Sequence, residues 1–244
     1  MFLYYVRHGD PIYDPDSLTE LGHKQAQALS NRFVLYGLDE IYASTSTRAQ
    51  MTAEPTAKRL NLPIILCDWA NEGLAWLDFA IQKEDGNKTW AFATQKYMDL
   101  FNSDAVIALG DRWYEYPDFA NENFANGVKR VDDAVDEFML SLGYKHDRAH
   151  RRYQRVGESK RADGKEKRVA LFAHQGFGLA FLSSLLDITY PFFCTHFDIS
   201  HTGTSVIEFD DEKDFVYPKL LQHSNDSHLY KEGLLTGYNN TYKI

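Results

Sequence analysis

The chain predicts an α/β fold, a layered sheet with helical crossovers, and three observations carry that expectation. Strand-like and helix-like segments alternate as β-α-β-α-β over residues 2–66. Two short runs, 2–6 and 169–173, have the apolar content of strands buried on both faces. Residues 124–142 keep Phe124, Val128, Val131, Val135, Phe138 and Leu142 at three-to-four spacing, which predicts an amphipathic helix. With 244 residues, 44% apolar and 25% charged, the chain can bury a large core and has an ordinary globular composition.

The first run ends at Arg7-His8-Gly9-Asp10-Pro11, where Gly and Pro call for a loop. Thr19 is the expected N-cap of a helix carrying Leu21, Gln25, Ala28, Leu29 and Phe33 on one face, and Gly37 closes it. Residues 39–43 form a second strand candidate, followed by a Ser/Thr-rich loop from Ser44 to Thr47. A second helix is expected from Arg48 to about Leu60, stopped by Asn61-Leu62-Pro63, with a third strand at 64–66. Residues 74–122 break the alternation and hold Trp76, Phe79, Trp90, Phe92, Tyr97, Phe101, Trp113, Tyr114, Tyr116 and Phe119. They are expected to form a mostly helical insertion after the third strand, serving either as a lid or as extra core. Residues 145–168 carry ten Lys/Arg against four Asp/Glu and predict an exposed loop or hairpin turning at Asp163-Gly164. A helix follows His174-Gln175-Gly176, and residues 204–209 and 215–220 are expected to pair as a hairpin turning at Asp210-Asp211. With no internal repeat and no evident boundary, residues 1–244 are expected to be one domain.

A net charge of −9 argues against nucleic acid as a partner, because such binding depends on a basic surface. Cys67 and Cys194 lie in apolar surroundings and are expected as buried free thiols, consistent with a reducing, cytoplasmic compartment. No signal-like segment opens the sequence, and no run approaches the roughly 20 apolar residues that span a bilayer. The nine His show no metal-ligand spacing, and His196 and His201 are expected to be structural. Neither a metal nor a cofactor is expected, and a homodimer is compatible with the sequence.

Two strand ends each deliver a His followed closely by Gly: His8-Gly9 and His174-Gln175-Gly176. Ligands of open α/β sheets sit at such carboxyl ends, and Gly permits close backbone approach. Arg7 and Arg48 also fall just past strand ends. Arg presents a planar fork of donors that matches phosphate oxygens, and Arg48 opens a helix whose N-terminus adds positive potential. Two Arg and two His around one point would form a site for a tetrahedral dianion.

The segments Tyr5-Val6-Arg7-His8-Gly9, Leu18-Thr19-Glu20-Leu21-Gly22, 44–53 (Ser-Thr-Ser-Thr-Arg-Ala-Gln-Met-Thr-Ala) and Ala173-His174-Gln175-Gly176 resemble, in order, the motifs of the histidine phosphatase superfamily, which includes the phosphoglycerate mutases. The resemblance spans about 1–72 and 124–209, and it implies a three-layer α/β/α sandwich around a mostly parallel sheet. It further implies that His8 is the nucleophile and becomes a phosphohistidine, while Arg7, Arg48 and His174 hold the phosphoryl oxygens. Glu72 would protonate the leaving oxygen and then deprotonate water. Gly9 and Gln175 would add substrate contacts. Asp14 stands where many members carry an Asn, and a carboxylate there is expected to point away from the phosphoryl group. No counterpart of the mutases' basic, Pro-rich segment occurs in 74–127. The first expectation is therefore hydrolysis of a small phosphorylated metabolite, with free phosphate as product. Mutase-type transfer and a catalytically idle phospho-ligand binder are the alternatives.

Overall fold

The computed structural model describes residues 1–157, 163–210 and 212–238. Its central sheet has six strands: β1 (Phe2–Arg7), β2 (Glu40–Ser44), β3 (Ile64–Cys67), β4 (Arg168–Ala173), β5 (Thr204–Glu208) and β6 (Lys219–Asn225). Their spatial order is β6-β5-β1-β4-β2-β3. β1, β4, β2 and β3 run parallel, whereas β5 and β6 are antiparallel to their neighbours. β1 and β4 sit in the middle, which is why both are apolar on consecutive positions rather than alternating.

Helices α1 (Glu20–Tyr36) and α2 (Thr47–Leu60) cover one face, where Leu29, Phe33, Ala53 and Ala57 meet Tyr4, Val6, Ala43 and Phe172. The other face packs Leu3, Tyr5 and Leu171 beneath α4 (Phe124–Ser141) and α5 (Gln175–Leu185). Two separate apolar clusters on two faces make the three-layer sandwich. Local chemistry sets the helix ends. Thr19 Oγ1 accepts from the Gly22 amide at 3.0 Å, and α1 stops at Gly37, whose φ of 73° suits glycine. Asn61, at φ 55°, closes α2 in the left-handed conformation.

Within 74–122 the chain forms α3 (Glu72–Phe79), a small hairpin pairing Ala80–Gln82 with Lys88–Trp90, and short helices at Gln95–Phe101 and Asp104–Leu109. Tyr97, Phe101, Trp113 and Phe119 are buried in the same cluster as Phe124 and Phe177, so these rings extend the core. Trp76 and Trp90 are placed differently, beside the cleft at the carboxyl ends of the central strands.

Two expectations need correction. The basic stretch forms a hairpin, Tyr144–Asp147 with Arg152–Arg155, that turns at 148–151 and not at Asp163-Gly164; most of its described residues are exposed, and the buried Tyr153, with Tyr144 just before the stretch, anchors it. Apolar content hidden among the charges provides the anchor. Glu158, Lys160 and Arg161 of that stretch lie outside the described residues. The second correction concerns the C-terminal hairpin. β5 pairs with Lys219–Asn225, whereas Phe215–Val216 joins Arg152–Arg155 in the small sheet. Pro218, which lacks an N–H for a ladder, separates the two pairings. Asp211, at the expected turn, lies outside the described residues.

The docked hairpin carries its own charge cluster. His146, with its side chain fully covered, bridges Asp136 (Nδ1–Oδ1 2.8 Å) and Asp187 (Nε2–Oδ2 3.1 Å). Its ring stacks on Tyr153 at 4.0 Å, and Arg148 pairs with Asp132 and Asp136.

Candidate active site

Strand register builds the site. β1 and β4 are parallel with Arg7 opposite Ala173, so the next residues, His8 and His174, emerge side by side with ring centroids 5.3 Å apart. β2 lies on the other side of β4, and Ser44 at its end accepts the His174 Nε2 hydrogen at 2.8 Å. Arg48, in the first turn of α2, donates from Nη2 to His174 Nδ1 at 3.1 Å. These two bonds fix the His174 tautomer.

His8 is almost wholly buried. Its Nδ1–H donates to the Gly9 carbonyl at 2.7 Å, which puts the ring's lone pair on Nε2. Burial holds the His8 imidazolium far out of reach, and His174, Arg7 and Arg48 add to that effect. His174 is likewise pushed well below the usual imidazole range by burial, then by Arg48 and Arg7. Both rings are therefore neutral at neutral pH.

Arg7 is fully buried beneath the site, donating to the Ile199 carbonyl at 2.5 Å and to His201 Nε2 at 3.0 Å. Arg48 reaches Asp16 through Nη1 at 2.6 Å and lies 5.4 Å from the centroid of the Tyr13 ring. Its Nε is covered and makes no hydrogen bond among the described residues. Glu72 opens α3, and its carboxylate accepts the Gly176 and Phe177 amides at the start of α5 at 2.9 and 2.8 Å. Burial nonetheless raises its pKa, against the opposing pull of those two amides, Arg48 and Arg7. The rise favours the protonated carboxyl, the form that could donate to a departing oxygen.

His8, Arg48, Glu72 and Gln175 line one cleft of about 640 Å³. Arg7 and His174 are fully buried and are not among the residues lining it. Gly9 is committed elsewhere: its amide donates to Thr52 Oγ1 at 3.0 Å, and a Cβ there would meet the Gly22 carbonyl at 2.8 Å. The Gln175 amide donates to Asp198. Asp14 is exposed and is not among the residues lining the cleft.

Asp16 escapes sequence reasoning, and His201, expected to be structural, lies beside the site. Asp16 accepts from Ser46 Oγ at 2.8 Å, from the Thr47 amide at 2.7 Å and from Arg48, tying the hairpin Pro11–Tyr13/Asp16–Leu18 to the N-terminus of α2. Burial pushes its pKa up, but the bonds from Arg48, Ser46 and Thr47 outweigh this and leave it below the usual carboxylate range. His201 arrives because β5 runs antiparallel to β1, with Val6 opposite Thr204. The residues before β5 are thereby brought to the end of β1, with the His8 and His201 rings 6.0 Å apart. Only the Gly-containing turn just before a strand, at 201–203, could have flagged it.

Among the described residues, no group of three or more His, Cys, Asp or Glu is arranged to hold a metal ion. No described helix is long and apolar enough to cross a membrane.

A parallel sheet whose central strands present adjacent neutral histidines against arginines is the frame of a phosphoryl-handling enzyme. The model of the histidine phosphatase superfamily (branch 1) matches residues 3–140, and the chain belongs to that superfamily. No curated protein matches its sequence. Solved structures share its fold at low identity. A mycobacterial glucosyl-3-phosphoglycerate phosphatase complexed with VO3 is 19% identical at a TM-score of 0.57, covering 91% of this chain and 97% of the other. Phosphoserine phosphatase from Entamoeba histolytica, in complex with 3-phosphoglyceric acid, is 16% identical at 0.56, covering 93% and 98%. The alpha-ribazole phosphatase from Shigella flexneri is 18% identical at 0.56, covering 93% and 97%.

Proposed function

We propose that the chain is a phosphomonoesterase that works through a phosphohistidine on His8. One observation carries the reading most directly. His8 is buried, neutral and turned by its Nδ1–Gly9 bond so that Nε2 is its free nitrogen, in the cleft that also holds Glu72. The His8 Nε2 lone pair attacks phosphorus, and the P–O bond to the alcohol breaks. The Glu72 carboxyl gives its proton to the departing oxygen. Arg48, with its uncommitted Nε, and Arg7 stabilise charge on the phosphoryl oxygens as the loose transition state forms. Glu72, now a carboxylate, then takes a proton from water. The water oxygen attacks phosphorus, the P–N bond breaks, and phosphate leaves with His8 restored.

The superfamily membership and the phosphatases that share the fold support this reading. The test is to quench the enzyme with a labelled aryl phosphate. An acid-labile, alkali-stable phosphoprotein is expected in the wild type and none in His8→Ala, which should fold normally and lose turnover. Normal turnover by His8→Ala, or an acid-stable adduct, would exclude His8 as the nucleophile. Water as final acceptor is checked by phosphate release in the presence of 3-phosphoglycerate, since mutase transfer would leave free phosphate low.

A further inference from the structure

We infer that the cleft takes phosphomonoesters of neutral, ring-bearing alcohols and turns away esters whose alcohol carries a second anion. This rests on the proposed phosphatase reading and adds the class of leaving group. The cleft, about 640 Å³, is of ligand size, far more than a phosphoryl group fills. Its lining includes three aromatic side chains: Tyr13, Trp76 and Trp90. The two indoles meet edge to face at 4.9 Å, and Phe92 stacks on Trp90 at 5.5 Å. Gly176 leaves the room Trp90 occupies, because a Cβ there would collide with the indole. The aromatic wall is thus held in place before any ligand arrives, so little ordering opposes binding of an apolar ring.

Charge supplies the exclusion. Among the described residues lining the cleft, the one Lys or Arg is Arg48, and Asp16 already holds its Nη1. The same surface presents two carboxyl groups, Asp16 and Glu72. A carboxylate or second phosphate on the alcohol would find no cation to pair with, and Asp16 would repel it. A neutral ring would instead bury apolar surface against the indoles.

The experiment has a turnover arm and a binding arm. In the first, kcat/KM for phenyl phosphate and glucose 6-phosphate is compared with that for O-phosphoserine and 3-phosphoglycerate. The ring esters are expected to lead by about 100-fold; equal or better turnover of the anionic esters would overturn the inference. In the second, calorimetry compares benzylphosphonate, methylphosphonate and phosphonoacetate. Benzylphosphonate is expected to bind about tenfold or more tighter than either. Trp76→Ala and Trp90→Ala should erase most of the benzyl-to-methyl ratio, and Trp76→Phe and Trp90→Phe should keep most of it. An unchanged ratio in the alanine variants, or no benzyl preference in the wild type, would remove the aromatic wall from recognition. If benzylphosphonate is preferred while no ester turns over, the phosphatase reading fails and the ring site stands. If every ester turns over alike with no benzyl preference, the reverse holds.

Discussion

Two buried histidine clusters in this protein have opposite neighbours, and their pKa values are pushed in opposite directions. At the carboxyl end of the central strands, His8 and His174 lie among Arg7 and Arg48, and burial plus those charges drive both rings neutral. On the docked hairpin, burial also disfavours the His146 cation, but hydrogen bonds to Asp136 and Asp187 overcome it and raise the pKa. Burial alone therefore does not decide a histidine's charge; the sign of its partners does. A nucleophile needs its lone pair, so the first arrangement suits chemistry. An imidazole bridging two carboxylates ties α4, the hairpin and the residues after α5 together, so the second suits cohesion.

The largest effect is expected at Glu72, the proposed proton donor. Glu72→Gln should lower kcat for an alkyl phosphomonoester about 10²- to 10⁴-fold and for p-nitrophenyl phosphate far less, because a good leaving group needs no proton. Equal losses on both substrates would take Glu72 out of that role. The contrast then predicts that the hairpin cluster affects stability and not turnover. His146→Ala should cost roughly 3 kcal/mol in urea unfolding while kcat/KM under native conditions stays within about twofold. A loss of activity at unchanged stability would break the distinction.

The pH dependence of that cost sharpens it further. A histidine whose folded pKa is raised stabilises fully below its unfolded value of about 6.5 and loses that contribution as pH climbs through the raised value. The stability gap between wild type and His146→Ala should be widest below about pH 6.5 and shrink above it. His8 and His174, with depressed values, act the other way: their contribution is present above about pH 6.5 and falls as pH drops below it. Imidazole NMR should show both still neutral where His146 is fully protonated, and Arg48→Gln should move His174 upward. A His174 titration unmoved by that change would mean that Arg48 does not hold it neutral. The smallest effect is expected at Gly176→Ala, where the added methyl displaces Trp90 and should raise KM for an aryl phosphate several-fold, with little change in kcat.

Much of the candidate site was legible because its residues are tied to local signals. Apolar runs that end in Arg-His-Gly and His-Gln-Gly announce strands and the turns at their ends, and Ser/Thr before Arg48 announces a helix start. Sequence reasoning weighed Asp14 and passed over Asp16, because which residue of a short hairpin reaches α2 depends on how that hairpin lies across the helix. It placed the turn of the 145–168 stretch at Asp163-Gly164, because charge density hid Tyr153, which with Tyr144 anchors a hairpin turning at 148–151. It mispaired residues 215–220, because strand partners far apart in sequence leave no local trace.

The sequence by itself determined the alternation of strands and helices over residues 2–66, the residue types at those strand ends and the family to which the chain belongs. Those follow from periodicity, capping and short motifs, which act over a few neighbouring residues. Tertiary structure decided the rest: the β1–β4 register that sets His8 against His174, the antiparallel β5 that brings in His201, and the approach of Trp90 over Gly176. It also decided the charge of each buried histidine. Protonation depends on partners that only folding brings within hydrogen-bond reach.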